Sequence, residues 1–77
     1  MEDMMLKTIA QLMSEKTAKN GRRSVKPEHV VKVPANHYVK SDSKQETRPV
    51  AVYVAEADDA IVVARVWASG SIVIYLI

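Results

Sequence analysis

Hydrophobic positions divide the chain into three stretches with different periods. In residues 4–19 they recur at a helical spacing. At 100° per residue, Met1, Met5, Leu6, Ile9, Leu12 and Met13 fall in one stripe, while Lys7, Gln11 and Ser14 point the other way. Glu2 and Asp3 sit at the positive end of the helix dipole, and Lys16 and Lys19 at the negative end. Asn20-Gly21 supplies a left-handed stop. An amphipathic helix over 4–19 is the expectation.

Residues 49–77 read as three strands, PVAVYV, AIVVARVWA and SIVIYLI, at about 49–55, 60–68 and 71–77. Glu56-Ala57-Asp58-Asp59 forms the first turn and Ser69-Gly70 the second. These turns predict pairing of Val54 with Ile61, Val52 with Val63 and Val50 with Arg65. Across the second hairpin they pair Trp67 with Ile72, Arg65 with Ile74 and Val63 with Leu76. One face then carries Val50, Val52, Val54, Ile61, Val63, Arg65, Trp67, Ile72, Ile74 and Leu76. The other carries Ala51, Tyr53, Ala55, Val62, Ala64, Val66, Ala68, Val73, Tyr75 and Ile77. Alanine thins the second set, so the helix is expected to lie there.

The middle stretch, 22–48, is irregular. Pro27 and Pro34 bar a continuous helix. HVVKV (29–33) reads as a short edge strand ended by Pro34, Tyr38-Val39 could extend another, and SDSKQETR (41–48) reads as a loop. The expected fold is one small α+β domain over 1–77. Its N-terminal amphipathic helix packs on a three-stranded antiparallel β-meander, four-stranded if HVVKV joins it.

A sheet that is apolar on both faces, with one helix to cover it, predicts association. Each large side chain left in water forgoes about 1.5–3 kcal/mol, and small domains have only about 5–15 kcal/mol of net stability. A homo-oligomer, with a twofold dimer favoured, is the expectation. The chain of 77 residues has no cysteine, so neither disulfides nor thiolate metal sites can brace it. No apolar run reaches the roughly 18 residues of a membrane span, and the acidic start does not resemble a signal peptide. A cytoplasmic location without membrane contact follows as the default.

The net charge of +2 is unevenly spread. Residues 16–48 hold nine Lys/Arg against Glu28, Asp42 and Glu46, while both flanks are mildly acidic. Lys16, Lys19, Arg22, Arg23, Lys26 and Lys32 could bind phosphates nonspecifically, although a solvated basic loop is the plainer reading. Tyr38 is the only aromatic there, which leaves a base-stacking platform unsupported.

Catalytic signatures are poor. His29 and His37, with Glu28, Tyr38 and Asp42 nearby, match no metal-ligand spacing, so no metal or cofactor is expected. His37 and Tyr38 with Lys40, Arg22 and Arg23 hold the residue types of a metal-independent ribonuclease, as most basic loops would. Glu56, Asp58 and Asp59 read as an acidic turn before a cation site. Arg65, inside an apolar sheet, should snorkel to an edge or meet a carboxylate of a second copy, Glu56 or Asp59. Trp67 shares its face and is either packing or a binding hot spot. Met1, Met4, Met5 and Met13 cluster at the N-terminus, where ordinary helix packing accounts for three of them.

The sequence thus favours a non-catalytic small binding protein, an inhibitor, adaptor or accessory factor of the kind phages and mobile elements carry. No catalytic residue is assigned. It would dock on a larger protein and self-associate through its sheet, with Arg65, Trp67, Ile72 and Ile74 as interface residues. The first alternative is a nucleic-acid-binding accessory protein using the basic segment 16–48. The second is a small metal-independent ribonuclease.

Overall fold

The computed structural model describes residues 2–35 and 49–77. The elements run α1 (Glu2–Lys19), a 3-10 turn (Pro27–His29), β1 (Val31–Val33), β2 (Ala51–Ala57), β3 (Ala60–Val66) and β4 (Ile72–Leu76). The four strands form one antiparallel sheet in the order β1-β2-β3-β4, with α1 packed on one face. This is the expected α+β architecture, with the edge strand from HVVKV present as β1. Tyr38-Val39 and the 41–48 loop lie outside the described residues.

Helix α1 starts two residues earlier than the hydrophobic stripe suggested. Its fully buried positions are Ile9, Met13 and Thr17, with Ala10 nearly so, and Leu6 packs at their border. The contact stripe is therefore Leu6, Ile9, Ala10, Met13 and Thr17, a run of i, i+3, i+4, i+7 and i+11. Met5 falls outside it at 45% exposure, and its sulfur accepts a 3.5 Å hydrogen bond from the Tyr53 hydroxyl. The buried Thr17 hydroxyl donates to the Ser14 carbonyl at 3.0 Å.

The helix ends as Asn20-Gly21 implied. Gly21 takes φ +69°, the Arg22 N–H donates to the Thr17 carbonyl (2.8 Å), and the Gly21 N–H donates to Ala18 (3.1 Å). This pair of bonds is a Schellman stop. The chain then turns back along α1, held by one side chain. Ser14 Oγ accepts from the Val25 N–H (2.9 Å) and donates to the Val25 carbonyl (3.0 Å). Ser14 is thus half-buried and structural, where the stripe had turned it to solvent. The clamp brings Val25 and Val30 into the core beside α1.

Both hairpins depart from the expected register. The first turn contains only Asp58-Asp59, with Asp58 in the left-handed region at φ +57°. Val54 consequently pairs with Val63, and Val52 with Arg65, two residues away from the expected pairing. An even shift keeps every β2 and β3 side chain on its expected face. The second turn shifts by one. The Trp67 N–H bonds the Ser71 carbonyl and the Gly70 N–H bonds the Trp67 carbonyl, both at 2.9 Å. The loop therefore holds three residues, with Gly70 at φ +94° in the position this loop type reserves for glycine. Arg65 now faces Val73, and Ala64 faces Ile74. An odd slip turns the whole of β4 over: Ile72, Ile74 and Leu76 lie under the helix, while Val73, Tyr75 and Ile77 lie on the far face.

The helix side of the sheet thus carries Ala51, Tyr53, Ala55, Ala57, Val62, Ala64 and Val66 in one buried cluster with α1, Val25 and Val30; among the strands α1 lies nearest β3 and β4, and Ile72, Ile74 and Leu76 pack at the border of the cluster. Ser14→Ala removes a two-way clamp and leaves the part-buried Val25 amide and carbonyl without it. We expect a loss of about 1–3 kcal/mol in urea unfolding, against less than about 0.5 kcal/mol for Gln11→Ala on the exposed side.

Candidate functional site

The far face of the sheet carries Val31 and Val33 of β1, Val52, Val54 and Glu56 of β2, Ile61, Val63 and Arg65 of β3, and Val73 and Tyr75 of β4. Val50, Trp67 and Ile77 continue the same alternation at the strand ends. The centre and the perimeter of this face differ. Val52 and Val63 have no accessible surface, so the centre is shielded within the single chain. Around it Val31 (56%), Val50 (58%), Ile61 (36%), Val73 (48%) and Ile77 (59%) are open to solvent. Among the described residues the remaining exposed large hydrophobics are Met4 and Met5 on α1.

Arg65 sits half-buried on this face. Its Nε donates to the Tyr75 hydroxyl at 3.2 Å, and its guanidinium carbon lies 4.8 Å from the Tyr75 ring centroid. The guanidinium therefore meets an aromatic ring of its own chain, a cation–π contact. Asp59, one of the carboxylates the sequence offered it, is engaged by Arg22 instead. Trp67 is half-buried one pair further along.

The four expected interface residues do not share a face. Arg65 and Trp67 are on the far side. Ile72 and Ile74 are half-buried against the helix-side core. The three-residue loop at Gly70 is the cause. Tyr75, the partner of Arg65, was missed for the same reason. The signal that could have found it is Ser71, which closes the loop opposite Trp67.

The six basic candidates are dispersed. Lys16 and Lys19 lie in the last turn of α1. The Arg22 Nε meets Asp59 Oδ1 at 3.3 Å, and the Arg23 Nε meets Asp58 Oδ1 at 3.1 Å. The Arg23 backbone N–H also donates to Asp58 Oδ2 at 2.9 Å. The acidic β2–β3 turn therefore neutralises two of the six cations and ties the segment after α1 to the sheet. Lys26 and Lys32 are exposed, Lys32 at the centre of β1.

A cleft of about 770 Å³ opens beside this turn. Its apolar wall is half-buried Val54 with Val31 and Ile61 of the far-face perimeter; Arg23, Lys26 and His29 stand with Glu56 and Asp58 around it. No group of three or more His, Asp or Glu among the described residues is arranged to hold a metal ion. His37, Tyr38, Lys40 and Asp42 lie outside the described residues. No helix among the described residues is long and apolar enough to cross a membrane. Comparison with protein-family models, with curated proteins and with solved structures finds no match.

The two turn aspartates should differ in worth. Asp59 is 84% exposed, and Asp59→Ala should move the unfolding free energy by less than about 0.5 kcal/mol. Asp58→Ala loses two bonds from Arg23 and leaves the β-carbon at positive φ without the polar side chain that eases it. It should cost about 1–2 kcal/mol. Parallel urea titrations in low and high salt compare the two variants.

Proposed function

We propose that this protein is a small non-catalytic binding module, an inhibitor, adaptor or accessory factor, that works through its sheet. It docks on a larger protein at the apolar perimeter of the far face and also associates with a second copy of itself. The observation carrying this reading is that perimeter: Val31, Val50, Ile61, Val73 and Ile77 stay open to water on one side of one sheet. Several large apolar side chains exposed on one side of one sheet are more than the scattered single residues an ordinary surface carries. At the corner formed by Val31 and Ile61 the cleft adds a concave apolar wall with charges of both signs around it, suited to receive an apolar side chain of the partner and to orient it.

Nucleic-acid binding is the weaker reading, because Arg22 and Arg23 already hold carboxylates of the same chain. Ribonuclease action would use His29 or His37; His37 lies outside the described residues, and the cleft groups His29 with Arg23, Lys26 and Glu56.

Cross-linked capture from the native host should yield one defined protein with the wild-type chain and lose it with Val50→Lys/Ile61→Lys, while circular dichroism of the variant is unchanged. Capture that survives both lysines removes the perimeter as the docking site. Labelled nucleic acid should show no binding in about 0.2 M salt, and RNA should remain intact. Tight, salt-sensitive binding would favour the first alternative, and RNA cleavage abolished by His29→Ala or His37→Ala the second.

A further inference from the structure

We infer that two copies of this chain join edge to edge through β4, antiparallel and centred on Ile74, to make one continuous eight-stranded sheet. The inference rests on the self-association in the functional reading above and assigns it a surface.

The ladder between β3 and β4 sets which backbone groups are spoken for. Ile61 and Ile77 exchange both hydrogen bonds, at 3.3 and 2.8 Å, and the Trp67 N–H bonds the Ser71 carbonyl at 2.9 Å. Hydrogen-bonded pairs alternate along an antiparallel ladder, so Val63–Tyr75 and Arg65–Val73 are the bonded pairs between them. Ile72, Ile74 and Leu76 therefore aim their N–H and C=O groups away from β3. No strand among the described residues pairs with that outer edge.

The two sheet edges are defended unequally. β1 has three residues, is followed by Pro34 and carries Lys32 at its centre. A twofold pairing there would set Lys32 against the partner's Lys32. β4 has five residues and no charge or proline from Ile72 to Ile77. Charge, proline and short length are the usual guards of an edge strand, and β4 has none of them. Its neutrality offers a foreign charged segment nothing to select, whereas a second copy brings the same length, the same donors and no like-charge contact.

A twofold axis normal to the sheet pairs Ile74 with the partner's Ile74 and Ile72 with the partner's Leu76, each pair exchanging two backbone bonds. Both helices then stay on one side of the joined sheet. On the other side Val73, 48% exposed in the single chain, comes opposite the partner's Tyr75. The shielded centre at Val52 and Val63 needs no rearrangement.

Amide hydrogen exchange across a dilution series, with molar mass read by light scattering, tests the inference. At concentrations where the mass doubles from 8.6 kDa, the Ile72, Ile74 and Leu76 amides should exchange at least about tenfold more slowly than in the dilute monomer. Ile74→Pro deletes an outward N–H that β3 does not use, a position an edge strand tolerates. It should remain folded by circular dichroism and be monomeric. A dimer whose three amides exchange freely overturns the edge assignment and leaves self-association standing. Slow exchange that persists unchanged in the dilute monomer means the chain covers its own edge, which overturns the second copy. A monomer at all concentrations overturns both readings.

Discussion

The close seat of α1 on an alanine-thinned sheet face is the contact on which the rest of this small fold depends. Among the strands α1 comes nearest β3 and β4, over Val62, Ala64 and Val66 with Ile72, Ile74 and Leu76 beside them, and Ala10, Ala51, Ala55 and Ala57 complete the same buried cluster. Ile9 and Met13 then reach the sheet and lose all access to water. With large residues at the alanine positions the helix would stand off and leave voids around them, or the core would be strained. Two further devices hold the helix in this seat: the Ser14 clamp on Val25 and the Arg22–Asp59 and Arg23–Asp58 pairs. The first is part-buried and specific. The ion pairs are largely in water and mainly set the path of the chain.

A single helix covers one face, and the other face has an uneven solution. Its middle valines are shielded while its perimeter stays apolar and wet. Burial of the centre disfavours two copies meeting face to face, since a flat sheet partner would find its richest ground already withdrawn. What remains accessible is a rim, a cleft at one corner and a neutral edge strand at the opposite end of the sheet. The proposed binding module would use these as separate surfaces, one for a partner and one for a second copy. Arg65 fits this picture as a local piece of the far face. Its Nε donates to the Tyr75 hydroxyl and its guanidinium lies by the Tyr75 ring, so a charge within an apolar sheet has a partner in its own chain.

Much of the architecture was legible in the sequence because it rests on periodicity. The helix, its Asn20-Gly21 stop, the three terminal strands, β1 and the choice of the alanine face all follow from side-chain patterns that tertiary contacts reinforce. The hairpin registers were less legible because they rest on loop length. Both strands beside each turn are apolar on both faces, so hydrophobic alternation does not penalise a slip. The first turn tightened onto Asp58-Asp59 because aspartate tolerates positive φ, and the faces survived an even shift. The second gained one residue because Gly70 could close a three-residue loop, and the odd shift moved Ile72 and Ile74 from the expected interface to the core border. Ser14 was misjudged for a different reason: its partner, Val25, is a backbone group eleven residues away that no helical wheel can show. The dispersal of the basic segment was equally hidden, because Asp58 and Asp59 reach Arg23 and Arg22 only once the sheet has formed.

The central claim is the placement of β4, since it assigns Ile72, Ile74 and Leu76 to the helix side and Val73 and Tyr75 to the far face. Methyl and aromatic nuclear Overhauser effects in the folded protein measure it directly. The Ile74 methyls should show contacts to the core around Ile9 and Met13, the Tyr75 ring should contact Arg65, and Val73 should show none to α1. Cross-peaks from Val73 or Tyr75 to the helix, with Ile74 silent toward it, would contradict the account at its root.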